Sequence, residues 1–336
     1  MPILYVTEQG AAIRHISGRV LVRREDRVLT DMPDFKCEQI VVFGNVQLTT
    51  DLISFCLANG VDVSFLSTNG RYKGRLQSPL AKNALLRLRQ YERTADSEFC
   101  RSNAAAIVAG KVRNMIAMIR RQRRLRDAGQ ANIADLEALL PKIVRAESLD
   151  ALNGYEGTAS AIYFRAFKSA LKSDWQFDTR NYHPPADPVN ALLSFLYTLL
   201  HNDVQAAINI VGLDPWMGVL HRPRLGHPAL ASDLIEEHRS VLADRLALTL
   251  LNKRVVIESD FIVNQENRLR LTQPALKRVL EMYANSMQQT IYYAAQNINT
   301  SYRQILLLQA RHFARVILGD EQKYLPFKAE SLTIEN

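Results

Sequence analysis

Residues 61–80 read Val61-Asp62-Val63-Ser64-Phe65-Leu66-Ser67-Thr68-Asn69-Gly70-Arg71-Tyr72-Lys73-Gly74-Arg75-Leu76-Gln77-Ser78-Pro79-Leu80, and the fold turns on them. Val61 to Leu66 is a short strand rich in β-formers. Asn69-Gly70 supplies the residues a tight hairpin turn requires, and Tyr72 to Leu76 returns as its partner. After Ser78-Pro79 the strand pattern stops, and apolar residues recur at helical spacing to the end of the chain. The break predicts an α+β protein: an N-terminal β domain over residues 1–76, a linker at 77–80 and a larger all-helical domain over 81–336.

Toward the N-terminus the same reading gives strands at Ile3–Thr7, Ala12–His15, Arg19–Arg23, Arg27–Thr30 and Ile40–Phe43, punctuated by Gly10, Ser17-Gly18 and Gly44-Asn45. One helix interrupts them. Thr49 or Thr50 caps it, Leu52, Ile53, Cys56 and Leu57 form its stripe, and Asn59-Gly60 ends it. Toward the C-terminus, Asp96 or Ser97 starts a long helix that Gly129 stops. A helix over Leu136–Val144 should break or kink at Pro141, and Ser148 opens another to about Leu171. Asp174 to Asp187 reads as an irregular loop, and Pro188 as the first residue of the next helix. Pro228 opens a helix to about Leu251. Asn264–Leu271 reads as a short hairpin or loop, Pro274 starts a helix, and Tyr292–Leu318 forms a last one.

The 336 residues are 47% hydrophobic, enough for a substantial core, and carry a net charge of +8. A basic balance favours a polyanionic partner such as nucleic acid. Residues 82–126 hold twelve Lys or Arg (Lys82, Arg87, Arg89, Arg93, Arg101, Lys111, Arg113, Arg120, Arg121, Arg123, Arg124 and Arg126) against Glu92, Asp96 and Glu98. That excess suits sequence-independent contact with a phosphate backbone. A solvated helix end is the plainer reading. Cys37, Cys56 and Cys100 have neither disulfide nor zinc spacing and read as buried thiols in a reducing cytosol. The N-terminus lacks a signal-peptide pattern, and no apolar run is long enough to span a membrane, so a cytoplasmic protein is expected.

Three local sequences carry the chemistry. Glu156 lies in Gly154-Tyr155-Glu156-Gly157, where two glycines leave room for close approach. His221 ends Gly212-Leu213-Asp214-Pro215-Trp216-Met217-Gly218-Val219-Leu220-His221, whose proline and glycines imply a tight turn. Asp233, Glu236 and Glu237 are spaced i, i+3 and i+4, which puts three carboxylates on one helix face where they repel unless a cation intervenes. Singly, each is more often a surface glutamate, a capping histidine or a dipole-favoured first turn. Together, hard oxygen donors with one imidazole suit Mg²⁺ or Mn²⁺ better than zinc. Arg222, Arg224, Arg239, Lys253 and Arg254 flank these motifs and are candidate phosphate contacts. No Walker loop, GxGxxG, HExxH or GxSxG competes. Glu237 reads as a bystander to the site. The other reading of the chain is a non-catalytic, basic DNA-binding scaffold with a structural acidic cluster.

In these motifs and their order, the chain resembles the CRISPR-associated integrase and endonuclease family that acquires new spacers. The Glu156-Gly157 helix, the Gly-x-Asp-Pro-x-x-Gly-x-Leu-His run, the Asp-Leu-x-Glu-Glu helix and the loop from Arg180 into Asp187-Pro188-Val189-Asn190 carry the resemblance, which covers essentially the whole chain. It implies Glu156, His221 and Glu236 as ligands of Mg²⁺ or Mn²⁺, with Asp233 a supporting acid. It also implies a homodimer formed through the β domains and a small ferredoxin-like partner flanked by two such dimers. The implied reaction is transesterification, in which the 3′-hydroxyl of a foreign DNA fragment attacks the end of a CRISPR repeat. Where many relatives carry an aromatic residue, this chain has His238, read as a packing substitution.

Overall fold

The computed structural model describes residues 3–68, 72–76, 84–122, 129–172, 175–181, 185, 187–263, 268–329 and the backbone of 332–333. The Asn69-Gly70 turn, the linker 77–80, Lys82, Arg123, Arg124, Arg126 and His183 lie outside them.

The N-terminal strands form two sheets rather than one. Strands β1 (Ile3–Val6), β5 (Gln39–Phe43), β7 (Asp62–Leu66) and β8 (Tyr72–Leu76) lie side by side in that order; β1, β5 and β7 run parallel and β8 antiparallel. Strands β2 (Ala12–Ile16), β3 (Arg19–Arg24) and β4 (Arg27–Pro33) make an antiparallel meander, and the short β6 (Gln47–Leu48) joins β2 in parallel. Helix α1 (Thr50–Asn59) is capped as its sequence predicts: the Thr49 hydroxyl accepts from the Leu52 amide, and Gly60 ends it at φ 68°.

Strand β5 explains how the two halves join. Every residue of it is buried. Ile40 and Val42 point into a small core with Val6, Ile13, Val20, Val22, Leu52, Cys56 and Val63, whereas Val41 and Phe43 point into the large core of the helical part. Strand alternation thus feeds two cores from one strand. Cys37, Cys56 and Cys100 are buried free thiols.

The helical part comprises α2 (Ala84–Ala95), α3 (Ser97–Arg121), α4 (Gln130–Val144), α5 (Leu149–Ala170), α6 (Pro188–Val211), α7 (Ala229–Leu234), α8 (Glu236–His238), α9 (Arg245–Asn252), α10 (Gln273–Gln288) and α11 (Tyr302–Leu318). Asp96, Ser148, Asp187 and Ser301 cap α3, α5, α6 and α11 through their side chains, and Pro188 takes the first position of α6. No described helix is long and apolar enough to cross a membrane.

Four expectations change. Helix α3 ends at Arg121, before Gly129. Helix α4 carries Pro141 inside it and ends three residues later. The segment from Pro228 to Asn252 is one interrupted rod, with a π-helical turn over Arg239–Asp244 between α8 and α9. The helical domain is not purely helical: β9 (Phe261–Val263) pairs with β10 (Leu269–Leu271), and β11 (Thr290–Tyr293) with β12 (Ile298–Ser301) and β13 (Leu332–Thr333). Residues 292–301 are therefore strand and turn, and the last helix starts only at Tyr302.

Candidate metal centre

Helix α3 is the spine of the site. Nearly every residue from Asn103 to Ile119 is buried, including Lys111, which is 3% exposed. A buried ammonium requires paired charge, and Lys111 has two partners: Nζ contacts Glu156 Oε1 from α5 and stands 2.5 Å from Glu236 Oε2 at the start of α8. Arg239, one turn on, places Nη1 3.1 Å from Glu236 Oε1 and lays its guanidinium over the Tyr197 ring, 4.9 Å from the centroid. Ser160 Oγ donates to Glu156 Oε1 at 2.8 Å. Burial alone would raise the Glu236 pKa, but the Arg239 and Lys111 charges outweigh it and hold the carboxyl down to about 2. Burial would lower the Lys111 pKa, and the Glu236 and Glu156 charges reverse that, keeping the ammonium charged.

His221 is oriented by Asp233. That carboxylate is fully buried in α7 and accepts the amides of Val219 and Leu220 on Oδ2 at 2.5 and 3.0 Å, and the His221 amide on Oδ1 at 2.9 Å. His221 Nδ1 lies 2.7 Å from the same Oδ1. A carboxylate only accepts, so Nδ1 carries a hydrogen, and in the neutral ring Nε2 presents its lone pair. Burial lowers the His221 pKa, but the hydrogen bond and charge of Asp233 outweigh it and raise it. Gly218 makes this approach feasible: a Cβ there would lie 2.5 Å from Asp233 Oδ2 and 2.8 Å from the Ala229 carbonyl carbon. Gln90, fully buried on α2, braces the turn by donating to the carbonyls of Asp214 and Met217, both at 2.9 Å, and accepting the Asp214 amide at 2.8 Å.

The three carboxylates expected on one face point three ways. Asp233 serves the His221 turn, Glu236 serves Lys111 and Arg239, and Glu237 turns to a C-terminal strap. Glu237, fully buried, accepts from Tyr324 Oη at 2.6 Å and from the Phe327 amide at 2.8 Å. Asn114 of α3 completes the clasp: it donates to the Glu237 and Phe327 carbonyls at 2.7 and 2.9 Å and accepts the Ala329 amide at 2.8 Å. Pro326 passes so close to Gly110 that a Cβ there would lie 2.4 Å away. His238 stacks on Phe327 with centroids 4.8 Å apart.

Among the described residues, no three His, Cys, Asp or Glu side chains stand close enough to hold a metal ion as arranged. The donor set nonetheless fits one. Glu156 and Glu236 converge on a single cation, the Lys111 ammonium, and the His221 and Glu236 charges act on each other. Two carboxylate oxygens with an oriented imidazole suit Mg²⁺ or Mn²⁺ once that ammonium withdraws. Gly154 and Gly157 leave open space along the exposed side of α5, next to the face that carries Glu156.

Of the expected phosphate contacts, Arg222 and Arg224 are exposed just after His221, Arg222 Nη2 lying 3.0 Å from Asp150 at the start of α5. Lys253 and Arg254 are exposed at the far end of α9, where Asn252 donates to the Ala170 carbonyl at the end of α5, away from Glu156. Arg239 belongs to the site itself. Among the described members of the basic run, Arg87 binds the Gly212 carbonyl, Arg121 binds the Ala329 carbonyl and Lys111 is buried, while Arg101 and Arg120 pair at the surface with Glu98 and Glu137. Sequence reasoning counted Lys111 only as part of that run. Its apolar flanks, Ile107-Val108-Ala109-Gly110 and Val112, were the available signal.

Known proteins are similar to this chain in sequence and in fold. A family model described as CRISPR associated protein Cas1 matches residues 4–285. A CRISPR-associated endonuclease Cas1 of Thermus thermophilus is 37% identical over 327 residues, covering 97% of this chain and 96% of the relative. Among solved structures, a casposase bound to its integration product superposes with a TM-score of 0.86 at 22% identity, covering 100% of this chain and 96% of that one. A Cas1 protein from Thermotoga maritima gives 0.81 at 23% identity, with 96% and 98% coverage. The chain therefore belongs to the family of the CRISPR-associated protein Cas1.

Proposed function

We propose that this protein is a metal-dependent DNA endonuclease and integrase that joins foreign DNA fragments to a CRISPR array by 3′-hydroxyl transesterification. The observation that carries the reading is the convergence of Glu156 and Glu236 on one buried cation, beside a histidine whose Nδ1 hydrogen is committed to Asp233. Family membership and the endonuclease name of the Thermus thermophilus relative support it. Glu156, Glu236 and His221 would hold Mg²⁺ or Mn²⁺, which supplies charge neutralisation at the scissile phosphate. Asp233 holds His221 in the tautomer that leaves Nε2 as the donor. Arg222 and Arg224 are exposed where a DNA backbone entering the centre would run. The side-chain-free Gly154–Gly157 strip on the exposed side of α5 leaves the neighbouring surface clear for that backbone. A homodimer, a small ferredoxin-like partner and a cytoplasmic location complete the proposal.

The test is DNA cleavage and joining by Glu156→Ala and His221→Ala in Mn²⁺ or Mg²⁺. Each substitution should abolish both activities, as should chelator. Activity equal to that of the unaltered protein would end the reading. DNA binding with no strand cleavage under any condition would favour a scaffold instead.

A further inference from the structure

Lys111 is the one charged residue along the buried run of α3 from Asn103 to Ile119 that reaches the centre, and it enters between the two carboxylates expected to take a metal. Both Glu156 and Glu236 contact the same Nζ. An ammonium and a divalent ion cannot occupy that gap together, since carboxylate–Mg²⁺ bonds are about 2.0–2.1 Å long. Nor can the carboxylates face each other there with no cation, because two close, largely buried negative charges repel strongly.

We propose that Lys111 is an internal stand-in cation: its ammonium keeps Glu156 and Glu236 assembled before metal arrives and competes directly with the divalent ion for them. The inference rests on the metal-centre reading above. It assigns Lys111 the role of a positioning residue that sets the metal concentration at which the site loads. Arg239 does not duplicate this role, since it pairs with the other oxygen of Glu236, Oε1, and its guanidinium lies over Tyr197. Loading would require the Lys111 side chain to withdraw. The small void beside Lys111 is lined by Glu236, Arg239, Ser160, Tyr197 and Asp244, so it is part of the site itself.

The experiment measures Mn²⁺ binding by calorimetry or by loss of the free-ion EPR signal, and thermal melting in chelator and in excess Mn²⁺. The proteins are the unaltered chain, Lys111→Met, Lys111→Arg and Glu156→Gln. Lys111→Met should bind Mn²⁺ about tenfold or more tightly, the equivalent of one charge-assisted hydrogen bond no longer displaced. It should melt lower than the unaltered protein in chelator and gain more from Mn²⁺. Lys111→Arg, which keeps the charge, should bind no tighter than the unaltered chain. Unchanged or weaker binding by Lys111→Met overturns the proposal, as does equal tightening by Lys111→Arg. So does a Lys111→Met protein that stays unfolded in excess Mn²⁺. Mn²⁺ binding that Glu156→Gln leaves untouched places the metal elsewhere and sinks the metal-centre reading together with the stand-in role. Binding by Lys111→Met where the unaltered chain binds none supports it, and binding by neither sinks both readings.

Discussion

Asp233→Asn replaces one carboxylate oxygen with an amide NH₂ at nearly constant shape. Whichever way the amide turns, at least one buried donor loses its acceptor. If NH₂ takes the place of Oδ2, it faces the amides of Val219 and Leu220; if it takes the place of Oδ1, it faces the His221 amide, while ring Nδ1 can accept from it once the imidazole hydrogen moves to Nε2. Asp233 itself is fully buried, so water does not reach its oxygens to repair the loss. Each orphaned buried donor costs about 1–3 kcal/mol, for a total of about 1–6 kcal/mol. At roughly 2 °C per kcal/mol for a chain of this size, the melting midpoint should fall by about 2–12 °C. Urea unfolding followed by circular dichroism, with thermal melting beside it, reads the effect. A loss below about 1 kcal/mol would refute the claim that Asp233 is the keystone of the His221 turn.

Three further outcomes follow from the same geometry. The Glu236 carboxyl is held down to about 2 from an ordinary 4.5, against burial, by Arg239 and Lys111. Its folded value lies below its unfolded one, so its stabilisation is complete above about pH 4.5 and is lost as pH falls toward 2; at about 1.4 kcal/mol per unit this is on the order of 3 kcal/mol. Glu236→Gln should flatten that acid limb in urea titrations between pH 3 and 6, and an unchanged limb would count against it. Tyr324→Phe removes a 2.6 Å hydrogen bond to the buried Glu237 carboxylate and should cost about 1.5–3 kcal/mol by chemical denaturation. Arg222→Ala and Arg224→Ala should each reduce the slope of log K against log salt by about 1 for each phosphate left without its cation, whatever the DNA sequence; an unchanged slope in filter binding would remove them from the DNA path.

The first domain was legible because its signals are local. Alternation along Ala12–Ile16 and Arg19–Arg24, the Thr49 cap and the Gly60 stop each act within a few residues. The division into two sheets was not, because strand order depends on partners such as Ile3 and Gln39, which only the folded chain brings together. Thr290–Tyr293 and Ile298–Ser301 are four residues each, too short for alternation to outweigh the helical pattern that follows. In the site, Glu156 and His221 stood out because glycines and proline disturb the sequence around them, and Glu236 because three acids share its turn. Spacing on a helix placed Asp233, Glu236 and Glu237 together, but His221, 12 residues from Asp233, Lys111, 125 residues from Glu236, and Phe327, 90 residues from Glu237, draw them apart. Lys111 was hidden for the opposite reason: a lysine in a basic stretch looks solvated until the helix bearing it is seen to be buried.

The strap that closes over Glu237 also sets an order in time. Tyr324 lies 87 residues beyond Glu237. At roughly 5–20 residues per second the ribosome delivers it on the order of 10 s later. Until then Glu237 lacks the Tyr324 hydroxyl and Phe327 amide, and Asn114 lacks the Phe327 carbonyl and Ala329 amide, that compensate their burial. A nascent chain therefore holds the pieces of its centre without their final packing, and the centre is completed only after the sequence around all three motifs has already been made.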